Sequence, residues 1–187
     1  MGKNILVVVD YQYDFYHPSG ALYVEGGERL YNNILRLIPQ FDGVVFTQDW
    51  HPLDHCSFKA NGGIWPVHCV NNTIGAGIPV EMLQAARDYT IFLKGCNTNK
   101  EEYGAFASPD FRSTVESVAK GREAEIESVV VCGIAGDYCV LETLKNIVGE
   151  IGSERVKVFL DGVASIDGGT AIGAYMQEQS IAEFKAE

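Results

Sequence analysis

The chain has 187 residues, of which 47% are hydrophobic, enough to bury one core of ordinary domain size. Its net charge of -11, with only 14 lysines and arginines, argues against a nucleic-acid surface, because phosphate binding requires dense positive charge. The sequence has neither a basic run nor a basic amphipathic helix that would favour a membrane surface. We therefore expect one domain, residues 1–187, with no nucleic-acid or membrane partner, and leave open whether it forms a homo-oligomer.

The first ten residues, MGKNILVVVD, contain one basic residue and a five-residue apolar run that ends at an aspartate. This run is too short for the apolar part of a signal peptide or for a membrane span, so we expect a cytoplasmic protein. The five cysteines cannot all pair with one another, and none of their spacings gives the CxxC pattern of a structural zinc site. We expect no disulfide scaffold and at least one free thiol.

Five short apolar runs predict the strands of a parallel sheet: Ile5–Val9, Val44–Thr47, Thr90–Leu93, Ser128–Cys132 and Val156–Leu160. Strands without polar alternation are typical of a sheet that helices cover on both faces. Apolar residues at helical spacing predict helices between the strands, at Glu28–Ile38, Phe111–Ala119 and Val140–Val148. The order indicates a three-layer α/β fold, doubly wound around about six mostly parallel strands.

The long segment from Gln48 to Ile78 contains no convincing element. It holds both tryptophans and three of the four histidines. Long irregular segments in compact domains are usually functional, so ligands are expected here first.

Chemically active residues follow the predicted strands. The first strand ends at Asp10, the second at Asp49, the third at Lys94 and the fifth at Asp161, while the fourth leads through a short turn to Cys139. Ligands of open α/β sheets bind beyond the carboxyl ends of the strands. We therefore expect these side chains at one edge of the sheet.

Cys139 is the candidate nucleophile. It begins a predicted helix, with Asp137 as the expected N-cap, and a helix N-terminus together with the ammonium of Lys94 should lower the pKa of its thiol. Cys132 lies inside an apolar strand and fits the commoner role of a buried structural cysteine.

Attack of a thiol on an amide also requires a base and a site for the developing oxyanion. Asp10 is the candidate base, since histidines near the strand ends occur only in the loop after the second strand. Lys94 would hold this carboxylate and balance the negative charge. Gly133 and Gly136 would allow backbone N–H groups to approach a bound carbonyl and form an oxyanion hole.

The loop after the second strand predicts a metal site. Asp49 and His51 point the same way in an extended chain, and His68 can return to complete a set of two histidines and one carboxylate with open positions. His55 could bind the metal, orient another ligand or face water.

Four segments together resemble the nicotinamidases among the isochorismatase-like cysteine hydrolases. DYQYDF at residues 10–15 is similar to the family's D-x-Q-x-D-F opening. DWH at residues 49–51 with WPVHC at 65–69 is similar to its metal loop, FLKG at 92–95 to its lysine strand, and GIAGDYCV at 133–140 to its nucleophile turn. The matches follow the family order and span most of the chain.

This resemblance implies a six-stranded parallel sheet, an Asp10, Lys94 and Cys139 triad, and hydrolysis of nicotinamide to nicotinate and ammonia through an acyl-enzyme, a reaction of NAD salvage. It further implies a divalent metal ion, held by Asp49, His51 and His68, that binds the pyridine nitrogen of this small-molecule substrate. A cis peptide bond before Ala135 and an oxyanion hole of the Ala135 and Cys139 N–H groups are also implied. An aromatic pocket is implied by matches at three positions: Phe15, Trp65 and Tyr103.

The sequence leaves three features open: the third metal ligand, the metal and the substrate. His55 is the best third side chain for the metal, with Asn61 as an alternative, and zinc, iron and manganese all suit such ligands. The nearest rival function is hydrolysis of another small amide or carbamoyl compound. Isochorismate cleavage is disfavoured because it needs no cysteine nucleophile and its dianionic substrate would require basic residues in the site. A redox-sensing or non-catalytic role is disfavoured by the presence of Asp10 and Lys94 beside Cys139.

Overall fold

The computed structural model describes residues 2–106, 110–118 and 126–186. Strands β1 to β6 are Lys3–Val9, Gly43–Asp49, Tyr89–Lys94, Ile126–Ile134, Val156–Ala164 and Ala182–Glu183. Helices α1 to α6 are Tyr13–Tyr16, Tyr31–Leu37, Val80–Ala85, Asp110–Val118, Cys139–Ile151 and Thr170–Glu178. Within these described ranges, no helix is long and apolar enough to cross a membrane.

All six strands form one parallel sheet in the order β3-β2-β1-β4-β5-β6. This confirms the predicted doubly wound α/β fold. The strand order reverses between β1 and β4, and such a reversal opens a crevice at the carboxyl ends of the strands. The site described below lies at this edge.

Each face of the sheet carries its own hydrophobic core. On β1 the side chains alternate, so that Ile5 and Val7 pack into one core and Leu6 and Val8 into the other. Helices α4, α5 and α6 contribute to the first core, and α2 and α3 to the second. This two-sided burial explains the uninterrupted apolar run of the first strand.

Two sheet predictions are wrong in detail. β3 is an edge strand, and its residues Tyr89, Ile91 and Leu93 are 38–45% exposed. The apolar pattern predicted a strand that helices cover on both faces, but no helix among the described residues covers these three side chains. β5 continues to Ala164, four residues beyond the predicted end. Asp161 therefore lies inside this strand and is exposed, and the fifth strand does not deliver it to the carboxyl edge.

The helix predictions differ from the structure mainly at their ends. The segment predicted as one helix at 28–38 begins as a 3-10 turn at Gly27–Leu30 before α2. α4 matches its prediction as far as Val118, while Ala119 lies outside the described residues. α5 begins at the cysteine and is longer than predicted. All five cysteines are free, whereas the sequence predicted at least one free thiol.

Candidate active site

The carboxyl edge of the sheet brings the predicted triad together around one ammonium group. The Nζ of Lys94, at the end of β3, lies 2.8 Å from Oδ2 of Asp10 and 2.6 Å from Oδ1 of Asp49. It also lies 3.6 Å from Sγ of Cys139. All four residues are buried, so little water screens these charges. Burial alone would lower the pKa of Lys94, but the two carboxylates outweigh it and hold the ammonium charged.

Asp10 offers one carboxylate oxygen for proton transfer. Its Oδ1 accepts a 2.6 Å hydrogen bond from Oγ1 of Thr47, on β2. Its Oδ2 lies 2.8 Å from the Nζ of Lys94 in a buried ion pair. Burial raises the pKa of Asp10 even though Lys94 opposes the shift. A carboxylate with a raised pKa is a better base than an exposed one.

Cys139 begins α5 as predicted, but its expected low pKa is wrong. Burial raises the pKa of this thiol well above its usual range, Lys94 opposes the shift, and the carboxylates of Asp10 and Asp49 add to it. A raised pKa favours the neutral thiol, so attack by the sulfur would be coupled to loss of its proton. Cys132 is fully buried and burial also raises its pKa, as expected for a structural residue.

The predicted N-cap of α5 is also wrong. Tyr138 occupies the cap position, and no side chain caps the helix. The carboxylate of Asp137 instead accepts hydrogen bonds from the backbone N–H groups of Ile166 at 2.9 Å and Asp167 at 3.1 Å. Asp137 thereby ties the nucleophile turn to the segment that follows β5.

The turn before Cys139 leaves two backbone donors unpaired. The predicted cis peptide bond joins Ile134 and Ala135. Among the described residues, no acceptor receives the N–H of Ala135 or of Cys139. Gly133 has φ of 125°, and a Cβ there would lie 2.0 Å from the carbonyl oxygen of Val9, so only glycine fits. Unpaired N–H groups beside a thiol are what an oxyanion hole requires.

A second group of side chains beside the triad could hold a metal ion. Ligand atoms of Asp49, His51 and His68 all lie within 4.8 Å of one another. Nδ1 of His51 lies 2.9 Å from the carbonyl oxygen of Gly95, and Nδ1 of His68 lies 2.8 Å from that of Pro66. A carbonyl oxygen can only accept, so each Nδ1 carries a proton and each Nε2 is left as the metal-binding atom.

This set suits a divalent transition metal by its chemistry. Two imidazole nitrogens and one carboxylate fit zinc, iron and manganese alike. Burial lowers the pKa of His68, which keeps its ring in the neutral form that binds metal.

His55 and Asn61 are not members of this set. The ring of His55 stacks on that of His51 at 4.1 Å, but its Nδ1 lies 2.8 Å from Oγ of Ser57 and its Nε2 lies 3.0 Å from the carbonyl oxygen of Lys100. Both ring nitrogens thus have protein partners. Asn61 is exposed and donates to the carbonyl oxygen of His55. A third protein ligand at either position stays a prediction, and in this structure both side chains support the loop through these hydrogen bonds.

An aromatic cavity opens above Cys139 and the candidate metal ligands. The three positions expected to surround a ring, Phe15, Trp65 and Tyr103, all line it. Nε1 of Trp65 donates a 3.0 Å hydrogen bond to the hydroxyl oxygen of Tyr103, which joins the two walls. Sequence reasoning missed five further lining residues: Leu22, Val24, Glu101, Tyr138 and Ile166.

Sequence reasoning also missed the role of two supporting side chains. The side chain of Gln12 clamps the backbone of Asp49, accepting from its N–H and donating to its carbonyl oxygen, each at 2.8 Å. Thr47 binds the carboxylate of Asp10. Gln12 is the glutamine of the D-x-Q-x-D-F match, which is the signal for the first role, and nothing in the sequence singles out the second.

Comparisons with known proteins agree with this geometry. Residues 4–168 match the isochorismatase domain family. The nicotinamidase of Acinetobacter baylyi is 35% identical over 155 residues, which cover 74% of this chain and 71% of the relative. The pyrazinamidase of Pyrococcus horikoshii, solved in complex with zinc, is 30% identical with a TM-score of 0.82 over 98% of this chain and 99% of its own. PnC1 from L. infantum, solved in complex with nicotinate, is 30% identical with a TM-score of 0.84 over 97% and 92%.

The fold and the cluster of Asp10, Lys94 and Cys139 define a class of protein. Its members are α/β proteins with a buried thiol, ammonium and carboxylate at the carboxyl ends of parallel strands. Within that class, the chain belongs to the isochorismatase family, since the matched region covers nearly all of it. The resemblance predicted from the four sequence segments is thereby confirmed.

Proposed function

We propose that this chain, acting as one domain, is a metal-dependent nicotinamidase that hydrolyses nicotinamide to nicotinate and ammonia and so serves NAD salvage. The observation that carries the proposal is the contact of Lys94 with both Asp10 and the thiol of Cys139, a residue that lines an aromatic cavity. The relatives named above support the substrate, since one is a nicotinamidase and another holds nicotinate.

In the proposed first step, Asp10 takes the thiol proton while the sulfur of Cys139 bonds to the carboxamide carbon. The carbonyl oxygen then becomes an anion, which the unpaired N–H groups of Ala135 and Cys139 would hold. Lys94 stays charged throughout and balances the added negative charge.

In the second step, the carbon–nitrogen bond breaks and Asp10 returns its proton to the leaving nitrogen, which departs as ammonia. A thioester between nicotinate and Cys139 remains. Water then attacks the thioester carbon, Asp10 removes a proton from that water, and the carbon–sulfur bond breaks. The thiol regains its proton from Asp10, so one base serves both halves of the reaction.

Asp49, His51 and His68 would hold the metal ion, which would supply an open coordination position for the pyridine nitrogen. Asp49 links this group to the triad, since its Oδ1 binds Lys94 while its Oδ2 lies 3.5 Å from Nε2 of His51. The ring would thus be fixed at one end while its carboxamide meets the thiol at the other. The aromatic walls at Phe15 and Trp65 would hold the ring by apolar contact.

Ammonia release from nicotinamide by the purified protein tests the proposal. The assay is run on metal-free protein and on protein loaded with zinc, iron or manganese, with benzamide and a carbamoyl compound as competing substrates. We expect ammonia from nicotinamide only with metal present. Release only from the carbamoyl compound would contradict the proposed substrate.

A further inference from the structure

Asp14 belongs to the segment that follows β1, yet it touches neither the triad nor the metal ligands directly. Its Oδ2 accepts a 2.8 Å hydrogen bond from the backbone N–H of Cys69, and its Oδ1 accepts a 3.0 Å hydrogen bond from that of Ala21. Its carbonyl oxygen accepts from the N–H of Leu22 at 3.0 Å. One residue thus joins two loops that are 48 positions apart in the chain.

Both loops contribute to the candidate site. Cys69 directly follows His68, one of the candidate metal ligands. Its φ of 45° lies in the left-handed region, which residues other than glycine seldom adopt. Leu22 lines the aromatic cavity. The hydrogen bond to Cys69 therefore fixes a strained point of the chain next to a ligand, and the bonds to Ala21 and Leu22 fix one wall of the cavity.

A carboxylate is the side chain that this position requires. Both of its oxygens face N–H donors, and an ionised carboxylate is acceptor-only, whereas an amide would turn an NH₂ group toward one of those donors. The packing is also tight, because a Cβ added at Gly75 would lie 2.1 Å from Oδ2 of Asp14. The carboxylate thus has little room to move away from the Cys69 N–H.

We propose that Asp14 is a positioning residue that sets the orientation of His68 toward the metal and the placement of the Leu22 wall against the substrate ring. Metal affinity and substrate affinity are then coupled through one carboxylate, whose Oδ2 holds Cys69 beside His68 and whose Oδ1 holds Ala21 beside Leu22. The part of the inference that concerns the substrate rests on the proposed function. The part that concerns metal affinity rests on the geometry of the candidate ligands alone. Supporting groups behind metal ligands typically contribute 10-fold to 100-fold in metal affinity.

The test variant is Asp14→Asn, which keeps the size of the side chain and removes one acceptor. Metal-free protein is titrated with zinc in competition with a chromogenic chelator, a readout that needs no activity. We expect the Kd for zinc to rise by about 10-fold to 100-fold. In zinc-saturated protein, KM for nicotinamide should rise by a larger factor than kcat falls, since the triad is untouched.

Glu150→Gln is the matched control. Glu150, near the end of α5, is also half-buried, and its two oxygens accept from the backbone N–H groups of Phe111 and Arg112. It also pairs with Nε of Arg112 at 3.7 Å, and none of these three residues lines the cavity. It undergoes the same change from carboxylate to amide. We expect a comparable fall in thermal stability with the zinc Kd and KM unchanged.

Gly75→Ala provides an independent variant should Asp14→Asn fail to fold, since it displaces the carboxylate and leaves its charge in place. It should weaken zinc binding in the same direction. The inference is overturned if the folded variant or variants bind zinc as tightly as Glu150→Gln does. Failure of the proposed function would look different, because wild-type protein would then bind zinc tightly and release no ammonia from nicotinamide.

Discussion

Replacing Lys94 by methionine should both destabilise the protein and remove its activity. The ammonium lies 2.8 Å from Oδ2 of Asp10 and 2.6 Å from Oδ1 of Asp49, and all three residues are at most 4% exposed. Lys94→Met would leave two buried carboxylates without a cation. Removing one partner of a buried ion pair typically costs about 3–5 kcal/mol of unfolding free energy.

A double variant tests whether charge is the cause. In Lys94→Met/Asp10→Asn the second change removes one of the stranded carboxylates, so the unfolding free energy should recover by about 1–3 kcal/mol relative to the single variant. Turnover should stay at least about 100-fold below wild type in both, since a charge stabiliser is missing from each.

The assay is urea denaturation of metal-free protein, because a bound cation would itself compensate the carboxylates. Activity per folded molecule is measured separately on the metal-loaded forms. The reasoning is refuted if Lys94→Met unfolds within about 0.5 kcal/mol of wild type, the range of an ordinary surface change. Absence of recovery in the double variant would show that lost packing, and not stranded charge, causes the instability.

Other predictions concern the remaining chemistry. Cys139→Ala and Cys139→Ser should abolish turnover with the fold intact, whereas Cys132→Ala should lower Tm and keep the activity per folded molecule; equal loss of activity in both positions would refute the assigned nucleophile. Asp10→Asn should lower turnover by at least about 100-fold, because an amide cannot accept the thiol proton, and near-normal turnover at neutral pH would assign the base to a histidine. Metal-loaded protein should prefer nicotinamide to benzamide by roughly ten-thousand-fold, since benzamide lacks the ring nitrogen, and chelation or His51→Ala should erase most of this preference. Comparable hydrolysis of the two amides would leave the metal without a role in binding the ring.

Strand ends are the part of the site that the sequence predicts best. An apolar run predicts where a buried strand lies. In a parallel sheet, the last residues of neighbouring strands lie at the same edge. The apolar runs therefore predict that Asp10, Asp49 and Lys94 lie together, and the ion pairs of Lys94 confirm it. The same rule fails for Asp161, because β5 continues past the point where its apolar pattern stops.

Electrostatic detail does not follow from sequence in this way. A helix N-terminus and Lys94 favour the thiolate of Cys139, which predicts a lowered pKa, but the depth of burial and the approach of Asp49 are properties of the folded chain. The role of His55 depends on the tertiary positions of Ser57 and the carbonyl oxygen of Lys100. The link from Asp14 to Cys69 likewise joins positions that no local pattern connects.

The central claim is that Cys139 forms a covalent acyl intermediate with the substrate. Metal-loaded protein is mixed with excess nicotinamide, quenched in acid during turnover, digested and examined by mass spectrometry. We predict that the peptide containing Cys139 gains the mass of one nicotinoyl group, and that the same treatment of Cys139→Ser protein gives no thioester adduct. Ammonia release with no adduct on this cysteine, or with the adduct on another residue, would contradict the account.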